Sequence, residues 1–475
     1  MTPGNAVQAD PAEGRGASSF FMFTEPFAGN TGGTLKPESV STKQERIAML
    51  ARNNPAMALT SLNQYLDYEW VKYAYDCTRK DGAVGVDGQT GEEYAVNLEQ
   101  NLLSLINRLK SGSYRAPPVR RHFIEKADGC LRGLGIPSFE DKVAQRAVVM
   151  LMEPIYEQDF MDCSFGFRPG RSAHGALAAI REAIVMRGGR WVLDVDVRKY
   201  FDSIDRAKLR EFLARRITDG VVRKLVDKWL KAGVLDQGQL SYPEAGTPQG
   251  GVISPMLSNV YLHYVLDEWF VEVVRPRLRG PGNLVRFADD FVMLFAYRDD
   301  AERVLAVLGR RMEKYGLEFH PDKTKMVDFR FKPKSVHDGR EKALATTFNF
   351  LGFLHTWVRS RFGKPVVRQL TAKDRVARAH KAFNEQIRAM RHWRIREQHQ
   401  RLCRMLNGHF AYFGISGNFE RLSTLKFKVE LLWRKWLSRR SNASYITWKS
   451  FREILARFPL PKARIIHPYR KKASP

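Results

Sequence analysis

Two adjacent aspartates between two apolar runs constrain the fold of this chain more than any other feature of its sequence. Residues 284–295 predict two apolar strands, and Asp289 and Asp290 form the tight turn between them. An isolated Asp-Asp pair is usually an ordinary surface turn. Between apolar strands, however, unpaired carboxylates are costly to bury, so the arrangement indicates a cation that compensates their charge.

A third carboxylate follows an earlier strand. Residues 191–197 alternate apolar and acidic positions, which is typical of a half-buried strand, and Asp196 lies near its end. A few hard oxygen ligands suit Mg²⁺, because water and substrate phosphates complete its coordination shell. Two such ions about 3.5 to 4 Å apart can align an attacking hydroxyl with a leaving pyrophosphate. The three aspartates therefore predict a magnesium site.

The chain is strongly basic, which indicates a polyanionic partner. It has 78 Lys and Arg against 51 Asp and Glu, a formal net charge of +27. Residues 371–475 alone carry 25 basic and 6 acidic residues. Basic groups interleaved with aromatic ones favour nucleic acid over a solvated charged face or a membrane-surface helix. The interleaved aromatic residues are Trp393, Phe410, Tyr412, Phe413, Trp433, Trp436 and Trp448.

The cysteines and the hydropathy exclude several other classes of protein. Cys77, Cys130, Cys163 and Cys403 form no CxxC pair and have no zinc-ligand spacing, so neither a disulfide framework nor a zinc site is predicted. No apolar run approaches the ~20 residues that a membrane helix needs. The chain does not open with a secretory signal. We therefore expect a cytoplasmic protein that does not contact a membrane.

Hydrophobic periodicity predicts the elements around these motifs. Residues 119–136 are interpreted as a basic hairpin around the turn dipeptide Asp128-Gly129, and residues 246–251 open a helix. Beyond Phe353 the sequence predicts mostly helix. Apolar positions recurring at three or four residues predict further helices within residues 42–79, 97–109, 141–156, 173–186 and 299–315.

Three segments resemble, in order and spacing, the polymerase motifs of reverse transcriptases. They are residues 191–205, Pro-Gln-Gly at 248–250 and Phe-Ala-Asp-Asp at 287–290. The resemblance is closest to proteins encoded by bacterial group II introns, which combine reverse transcription with maturase activity, the assistance of intron splicing. Ser-Phe-Gly-Phe-Arg-Pro-Gly-Arg-Ser at 164–172 and Phe-Leu-Gly-Phe at 350–353 extend it to most of the chain.

The resemblance implies an α+β right-hand polymerase with fingers, palm and thumb, followed by a helical C-terminal maturase domain. On this basis residues 1–44 are expected to form a disordered leader, and residues 45–185 the N-terminal extension and fingers. Residues 186–355 are expected to form the palm with the polymerase active site. Residues 356–475 are expected to form a helical thumb and RNA-binding maturase domain.

The resemblance also implies the metal ligands. Asp196, Asp289 and Asp290 match the catalytic aspartates, and the main-chain carbonyl of Val197 would complete the ligand set for two Mg²⁺ ions. Asp194 is the competing choice for the first aspartate. Asp196 is preferred because an aromatic residue, Phe201, lies five positions further on. Reverse transcriptases have there the residue that blocks a ribonucleotide 2′-hydroxyl.

Nucleotide and RNA contacts follow from the same resemblance. Lys126 and Arg132, on the two arms of the hairpin, would bind the triphosphate, and Gln249 and Phe201 would contact the sugar. Lys323 is a candidate for protonating the leaving pyrophosphate, although a simple surface lysine explains it equally well. The RNA-binding candidates in the C-terminal region are Arg394, Arg404, Tyr412, Lys435, Arg439 and Arg440.

The expected partners are a group II intron RNA, an RNA template with a DNA primer, target DNA and dNTPs. The maturase-like tail is not followed by a segment rich in Cys or His, so we expect no second-strand nuclease. Two alternatives remain open. One is a splicing cofactor that binds its intron with an idle polymerase site. The other is a reverse transcriptase recruited to phage defence, to a CRISPR array or to DNA repair.

Overall fold

The computed structural model describes residues 37–125, 131–236, 239–242, 246, 250–320, 323–331, 346–441 and 445–469. The expected leader, residues 1–44, falls partly outside these ranges. Its end is helical, which corrects the expectation for residues 38–44, because the first helix begins at Glu38 and buries Val40 completely.

The helices agree with the hydrophobic periodicity over most of the chain. Short 3₁₀ turns occur at Leu62–Tyr65 and Arg275–Arg277. The helices of the described residues are α1 Glu38–Asn53, α2 Tyr68–Asp76, α3 Gly91–Ala95, α4 Leu98–Ser111, α5 Phe139–Asp159, α6 Ala173–Met186, α7 Tyr200–Ser203, α8 Arg206–Ala214, α9 Gly220–Leu230, α10 Ser254–Leu262, α11 Arg298–Glu313, α12 Lys373–Ala389, α13 Ile395–Phe413, α14 Phe419–Leu437 and α15 Trp448–Arg457.

The strands of the described residues form three sheets. The hairpin sheet has the order β2-β1-β4-β5, the central sheet β6-β7-β3-β8 and the C-terminal sheet β11-β10-β9. The strands are β1 Val119–Glu125, β2 Leu131–Ile136, β3 Trp191–Val195, β4 Val234–Asp236, β5 Gln239–Ser241, β6 Gly282–Phe287, β7 Asp290–Phe295, β8 Lys325–Asp328, β9 Phe348–Phe350, β10 Phe353–Arg359 and β11 Pro365–Thr371.

The central sheet is covered on both faces, not on one as the alternating pattern of β3 predicts. Leu193 and Met293 pack into a core that includes α5 and α10, whereas Val192 and Leu294 pack into a second core formed with α6 and the C-terminal helices. A sheet buried on both faces needs apolar residues at successive positions. Polar side chains within it are therefore restricted to the ends of its strands or to sites where they find partners.

The C-terminal region is helical only from Lys373 onward. The expectation of helix from residue 356 is wrong for β11 and for the end of β10, which pair antiparallel, with Phe353 opposite Thr371. Both strands are rich in β-branched residues, which suit a pleated sheet. Gln369 attaches this sheet to α6, because its Nε2 donates to the Leu177 carbonyl at 2.8 Å.

Most aromatic residues of the C-terminal helices belong to the core and not to the surface. Phe410, Phe413 and Trp433 are buried, and only Trp393 and Trp448 of the seven are largely exposed. The three buried rings therefore serve the core and cannot stack on nucleic-acid bases. The described residues include no helix that is long and apolar enough to span a membrane.

Candidate active site

The paired aspartates lie where the sequence predicts them, on the turn between two strands of the central sheet. Phe287 pairs with Asp290, so Ala288 and Asp289 form a two-residue hairpin turn. Ala288 has a positive φ of 57°. Two-residue hairpins use such conformations because they match the right-handed twist of the strands. The turn brings Asp289 to its tip and makes Asp290 the first residue of β7.

The third aspartate lies on the neighbouring strand and beside the turn. Val195 pairs with Phe291, so Asp196 leaves β3 at the point where Asp290 enters β7. The pKa of Asp290 is raised to about 7 by desolvation and by the carboxylates of Asp289, Asp196 and Asp194. Asp290 is exposed to solvent at this edge of the sheet. Repulsion between the carboxylates is therefore the cause that we consider decisive.

Asp194 is the weaker candidate in this geometry. Burial raises the pKa of Asp194 to about 6, repulsion by Asp196 adds to the effect, and Lys325 opposes it. Lys325 is the direct partner of Asp194 across β3 and β8. Asp196 also acts on Asp290 more strongly than Asp194 does. These contacts favour Asp196 as the residue that shares a cation with the turn.

The carboxylates provide donors that fit a hard cation, but their side chains are not gathered around one point. Among the described residues, no group of three or more His, Cys, Asp or Glu side chains is close enough to hold a metal ion. The Asp196 carboxylate instead contacts Lys323, with 3.1 Å between Oδ2 and Nζ. The carboxylates still raise one another's pKa values, and a divalent cation bound between them would relieve this repulsion.

Val197 forms an antiparallel bridge to Phe319. The bridge is made by the flanking residues: Arg198 donates to the Glu318 carbonyl, and His320 donates to the Asp196 carbonyl, both at 2.8 Å. Val197 and Phe319 are thus a pair that exchanges no hydrogen bonds between its own members. The bridge itself therefore makes no use of the Val197 carbonyl, whose role as a metal ligand stays a prediction.

The two described glycines of the motif that opens at Gly246 make close backbone contacts, Gly246 with α7 and Gly250 with the hairpin sheet. Gly246 has φ 81°, and a Cβ there would lie 2.6 Å from the carbonyl oxygen of Phe201. Gly250 has φ 111°, and its Cβ would lie 2.5 Å from the carbonyl oxygen of Gly135 on β2. Phe201, half-buried on α7, is therefore next to the motif, and the hairpin reaches it from the other side.

Three of the predicted nucleotide contacts cannot be located. Lys126 and Gln249 lie outside the described residues, and so does the side chain of Arg132, although its backbone pairs with Ile124 in the hairpin sheet. Their proximity to the aspartates remains a prediction.

Sequence reasoning did not predict two arginines near the turn. Arg286 precedes the turn by two residues and is completely buried. A charged residue within an apolar strand is unusual, so this signal was present in the sequence. Arg375, on the first turn of α12, lowers the pKa of Asp290 by its charge. Arg375 follows Asp290 by 85 residues in the sequence, so no local pattern indicates that the two are close.

The six RNA-binding candidates fall into two groups. Arg394, Arg404, Lys435 and Arg439 are exposed on the C-terminal helices.

The other two make contacts within the protein. The hydroxyl of Tyr412 donates to the Leu351 carbonyl at 2.9 Å, and burial raises its pKa to about 12. Arg440 donates to the carbonyls of Arg391 and Trp393 at 2.7 and 2.9 Å. These contacts give Tyr412 and Arg440 a structural role within the protein.

Comparison with known proteins agrees with this geometry. Residues 124–355 match the family described as "Reverse transcriptase (RNA-dependent DNA polymerase)", a range that contains all three aspartates. This family implies a right-hand polymerase fold. Protein YkfC of Escherichia coli K12 is 33% identical over 365 residues, which cover 68% of this chain and 90% of YkfC.

Two further relatives are named for introns. The group II intron-encoded protein LtrA of Lactococcus lactis subsp. cremoris is 38% identical over 234 residues, 48% of this chain and 38% of LtrA. Nuclear intron maturase 2, mitochondrial, of Arabidopsis thaliana is 30% identical over 175 residues, 29% of this chain and 24% of that protein. This chain thus spans well under half of either protein. The chain belongs to the reverse transcriptase family, among the group II intron reverse transcriptases and maturases.

Proposed function

We propose that this protein is an RNA-directed DNA polymerase of a group II intron that extends a DNA primer with dNTPs and also binds the intron RNA to assist splicing and mobility. The observation that carries the polymerase proposal is the position of three carboxylates at one end of the central sheet. Asp289 lies on the turn between β6 and β7, Asp290 opens β7, and Asp196 leaves β3 beside it. In this proposal the central sheet is the palm, the hairpin sheet the fingers, and the C-terminal helices the thumb and maturase domain.

In the proposed mechanism, Asp196, Asp289, Asp290 and the Val197 carbonyl would hold two Mg²⁺ ions. When bound, these ions supply Lewis-acid stabilisation of the attacking 3′-oxygen and of the leaving pyrophosphate. The protein contributes mainly positioning and charge.

The other proposed residues act on the nucleotide. Lys126 and Arg132 neutralise the triphosphate, and Gln249 and Phe201 border the sugar. Lys323, whose Nζ lies 3.1 Å from Asp196 Oδ2, donates a proton to the leaving pyrophosphate.

Primer extension on an RNA template tests the polymerase proposal. Wild-type protein with dNTPs and Mg²⁺ should make cDNA, and Asp289→Ala and Asp196→Ala should each make none. Asp299→Ala is a matched control, because Asp299, on α11, pairs with Arg279 and is not among the proposed ligands. Absence of cDNA from folded, RNA-binding wild type would contradict the proposal and favour a splicing cofactor.

The exposed basic residues of the C-terminal helices are proposed to contact phosphates of the intron RNA. Replacing Arg394, Arg404, Lys435 and Arg439 by Gln should weaken RNA binding and flatten its dependence on salt by roughly 0.7 in the logarithmic slope for each lost phosphate contact. A control with the same loss of charge replaces the exposed residues Lys231, Arg298, Arg303 and Arg310. Equal effects of the two sets would contradict a specific RNA surface on these helices.

A further inference from the structure

Arg286 is a buried charge with more partners than any simple ion pair requires. Its side chain has no exposed surface, and neither has that of its counter-ion Asp267. The guanidinium donates to both Asp267 oxygens, at 2.8 and 2.5 Å. It also donates to Asn259 Oδ1 at 2.9 Å and to Ser164 Oγ at 2.7 Å. Its charge and its donor groups are therefore fixed from several directions.

One further hydrogen bond connects this group to the catalytic turn. Nη1 of Arg286 donates to the carbonyl oxygen of Ala288 at 3.0 Å. Ala288 has φ 57°, a conformation that non-glycine residues rarely adopt and that persists only where surrounding contacts hold it. The residue immediately after it is Asp289. Arg286 thus supports the strained residue on which the position of the aspartates depends.

The opposite side of the turn is fixed through the same network. Gly166 packs so closely against Ala288 that a Cβ would overlap the Ala288 backbone nitrogen. The Gly166 carbonyl accepts a hydrogen bond from Asn259 Nδ2 at 2.8 Å, and the same amide accepts from Arg286 through its oxygen. The turn is therefore enclosed on one side by the Arg286 guanidinium and on the other by the backbone at Gly166, and Asn259 links the two.

An irregular helix supplies the counter-ion. After α10 the helix continues as π-helical turns, His263–Asp267 and Trp269–Val274. Asn259 and Asp267 are eight residues apart, which in a regular α-helix is about 80° out of line. One extra residue in a π turn reduces this to the offset of seven α-helical residues, about 20°. The π turn thereby aligns Asn259 and Asp267 on one side of the helix, facing Arg286.

We propose that Arg286 is a positioning residue that holds the Ala288–Asp289 turn in the geometry required for metal-dependent nucleotide addition, with the π-helical turn supplying Asp267 as its counter-ion. The inference rests on the proposed polymerase function. Carboxylates that repel one another favour an open turn in the absence of cations, and the bond to the Ala288 carbonyl opposes that movement. Arg286 itself touches neither metal nor substrate.

Arg286→Lys tests this role because it keeps the charge opposite Asp267. A single ammonium group cannot reproduce the planar donor geometry that reaches Asp267, Asn259, Ser164 and the Ala288 carbonyl together. Single-nucleotide addition at saturating dNTP is measured against Mg²⁺ concentration, with thermal midpoint and RNA dissociation constant measured on the same samples. We expect a maximal rate about 10- to 100-fold lower and a raised half-saturating Mg²⁺ concentration, at unchanged RNA affinity.

Arg216→Lys is a matched control for the loss of a buried arginine. Arg216 is also buried and pairs with Asp159 at 2.8 Å. Its other hydrogen bonds go to carbonyls at the end of α1 and just beyond it, including those of Ala51 and Asn54 at 2.9 and 2.8 Å. This variant should lower the thermal midpoint while preserving the rate and the Mg²⁺ dependence per folded molecule.

Three outcomes decide the inference. A reduced maximal rate and a raised half-saturating Mg²⁺ concentration in Arg286→Lys but not in Arg216→Lys would support it. Wild-type rate and Mg²⁺ dependence in folded Arg286→Lys, or equal changes in both variants, would overturn it and leave the polymerase function intact. Wild-type protein that makes no cDNA would overturn the proposed function, and this inference with it.

Discussion

At the scale of single residues, Ala288 combines a strained backbone conformation with a position next to the predicted metal ligand Asp289. Three other non-glycine residues with positive φ are Phe167, Lys199 and Leu351. The ring of Phe167 lies 6.2 Å from that of Phe287, and Lys199 follows Asp196 by three residues. Leu351 accepts the hydrogen bond of Tyr412, whose pKa is raised in part by Asp290. Strain of this kind is typical of functional sites.

Substitution of Ala288 tests whether this strain can be increased. Ala288→Val places a β-branched side chain at a positive φ, so we expect a loss of about 1–3 kcal/mol in the free energy of unfolding and a large loss of primer extension. Ala288→Gly is the matched control, because glycine adopts this conformation without strain. Thermal midpoints and extension rates of both variants are compared with wild type. A Val variant as stable and active as the Gly variant would contradict this account.

Lys323 is tested by removing its ammonium group. If it protonates the leaving pyrophosphate as proposed, Lys323→Met should slow nucleotide addition by about 10²-fold or more at saturating Mg²⁺ and dNTP. Loss of the exposed pair with Asp196 alone would change stability by less than about 1 kcal/mol, so folding should be unaffected. Lys208→Met, which removes a surface pair with Glu211, is the control. A wild-type rate would show that Lys323 does not protonate the leaving pyrophosphate and is a simple surface lysine.

At the scale of elements, a close backbone contact joins the chain at Gly250 to the hairpin sheet. Gly250 has φ 111° and lies against the Gly135 carbonyl of β2, one residue after the predicted sugar contact Gln249. Gly250→Ala should push the loop from the hairpin and raise the KM for dNTP more than it lowers kcat. Gly220→Ala is the control, because a Cβ there meets nothing within 4 Å. Steady-state kinetics of both variants decide between a loop effect and a general loss of folding.

The elements also show what sequence reasoning can and cannot reach. The hairpin, α5, α6 and the aspartate turn follow local periodicity and were predicted with nearly the right bounds. The strands β10 and β11 were missed because the resemblance implied a helical region from residue 356 onward. The π turn ending at Asp267 was also missed, since the partner of Asp267 is Arg286, which lies on another element. Long-range contacts of this kind leave no periodic signal.

At the scale of the whole molecule, the central sheet separates two apolar cores and joins them through its strands. Met293 packs towards α5 and α10, and its neighbour Leu294 packs towards the C-terminal helices. Arg375 and Tyr412, from those helices, act on the same carboxylate, Asp290. The expected boundary at residue 355 therefore divides the sequence, but side chains from both regions pack against the same sheet. The aspartates lie where the two parts meet.

Buried histidines in both parts predict how stability depends on pH. Burial lowers the pKa of His263 and His409 to about 4 and that of His355 to about 3. Their unfolded values are about 6.5, so the unfolded chain binds more protons as pH falls below that value. The fully neutral histidines stabilise the protein above pH 6.5, and this contribution is lost progressively towards pH 4.

Asp141 has the opposite sign. Burial raises its pKa to about 6 in the folded protein, so between pH 6 and about 3.8 the folded state binds the extra proton and gains stability on acidification. The raised pKa values of Asp194 and Asp290, about 6 and about 7, act in the same direction as that of Asp141, so the three histidines are opposed by three aspartates. His355→Gln should lower the midpoint at pH 7.5 and should lose less stability than wild type between pH 7.5 and 5, since each histidine contributes up to about 1.4 kcal/mol per pH unit. An acid loss identical to wild type would show that His355 is protonated in the folded protein or that other groups control the transition.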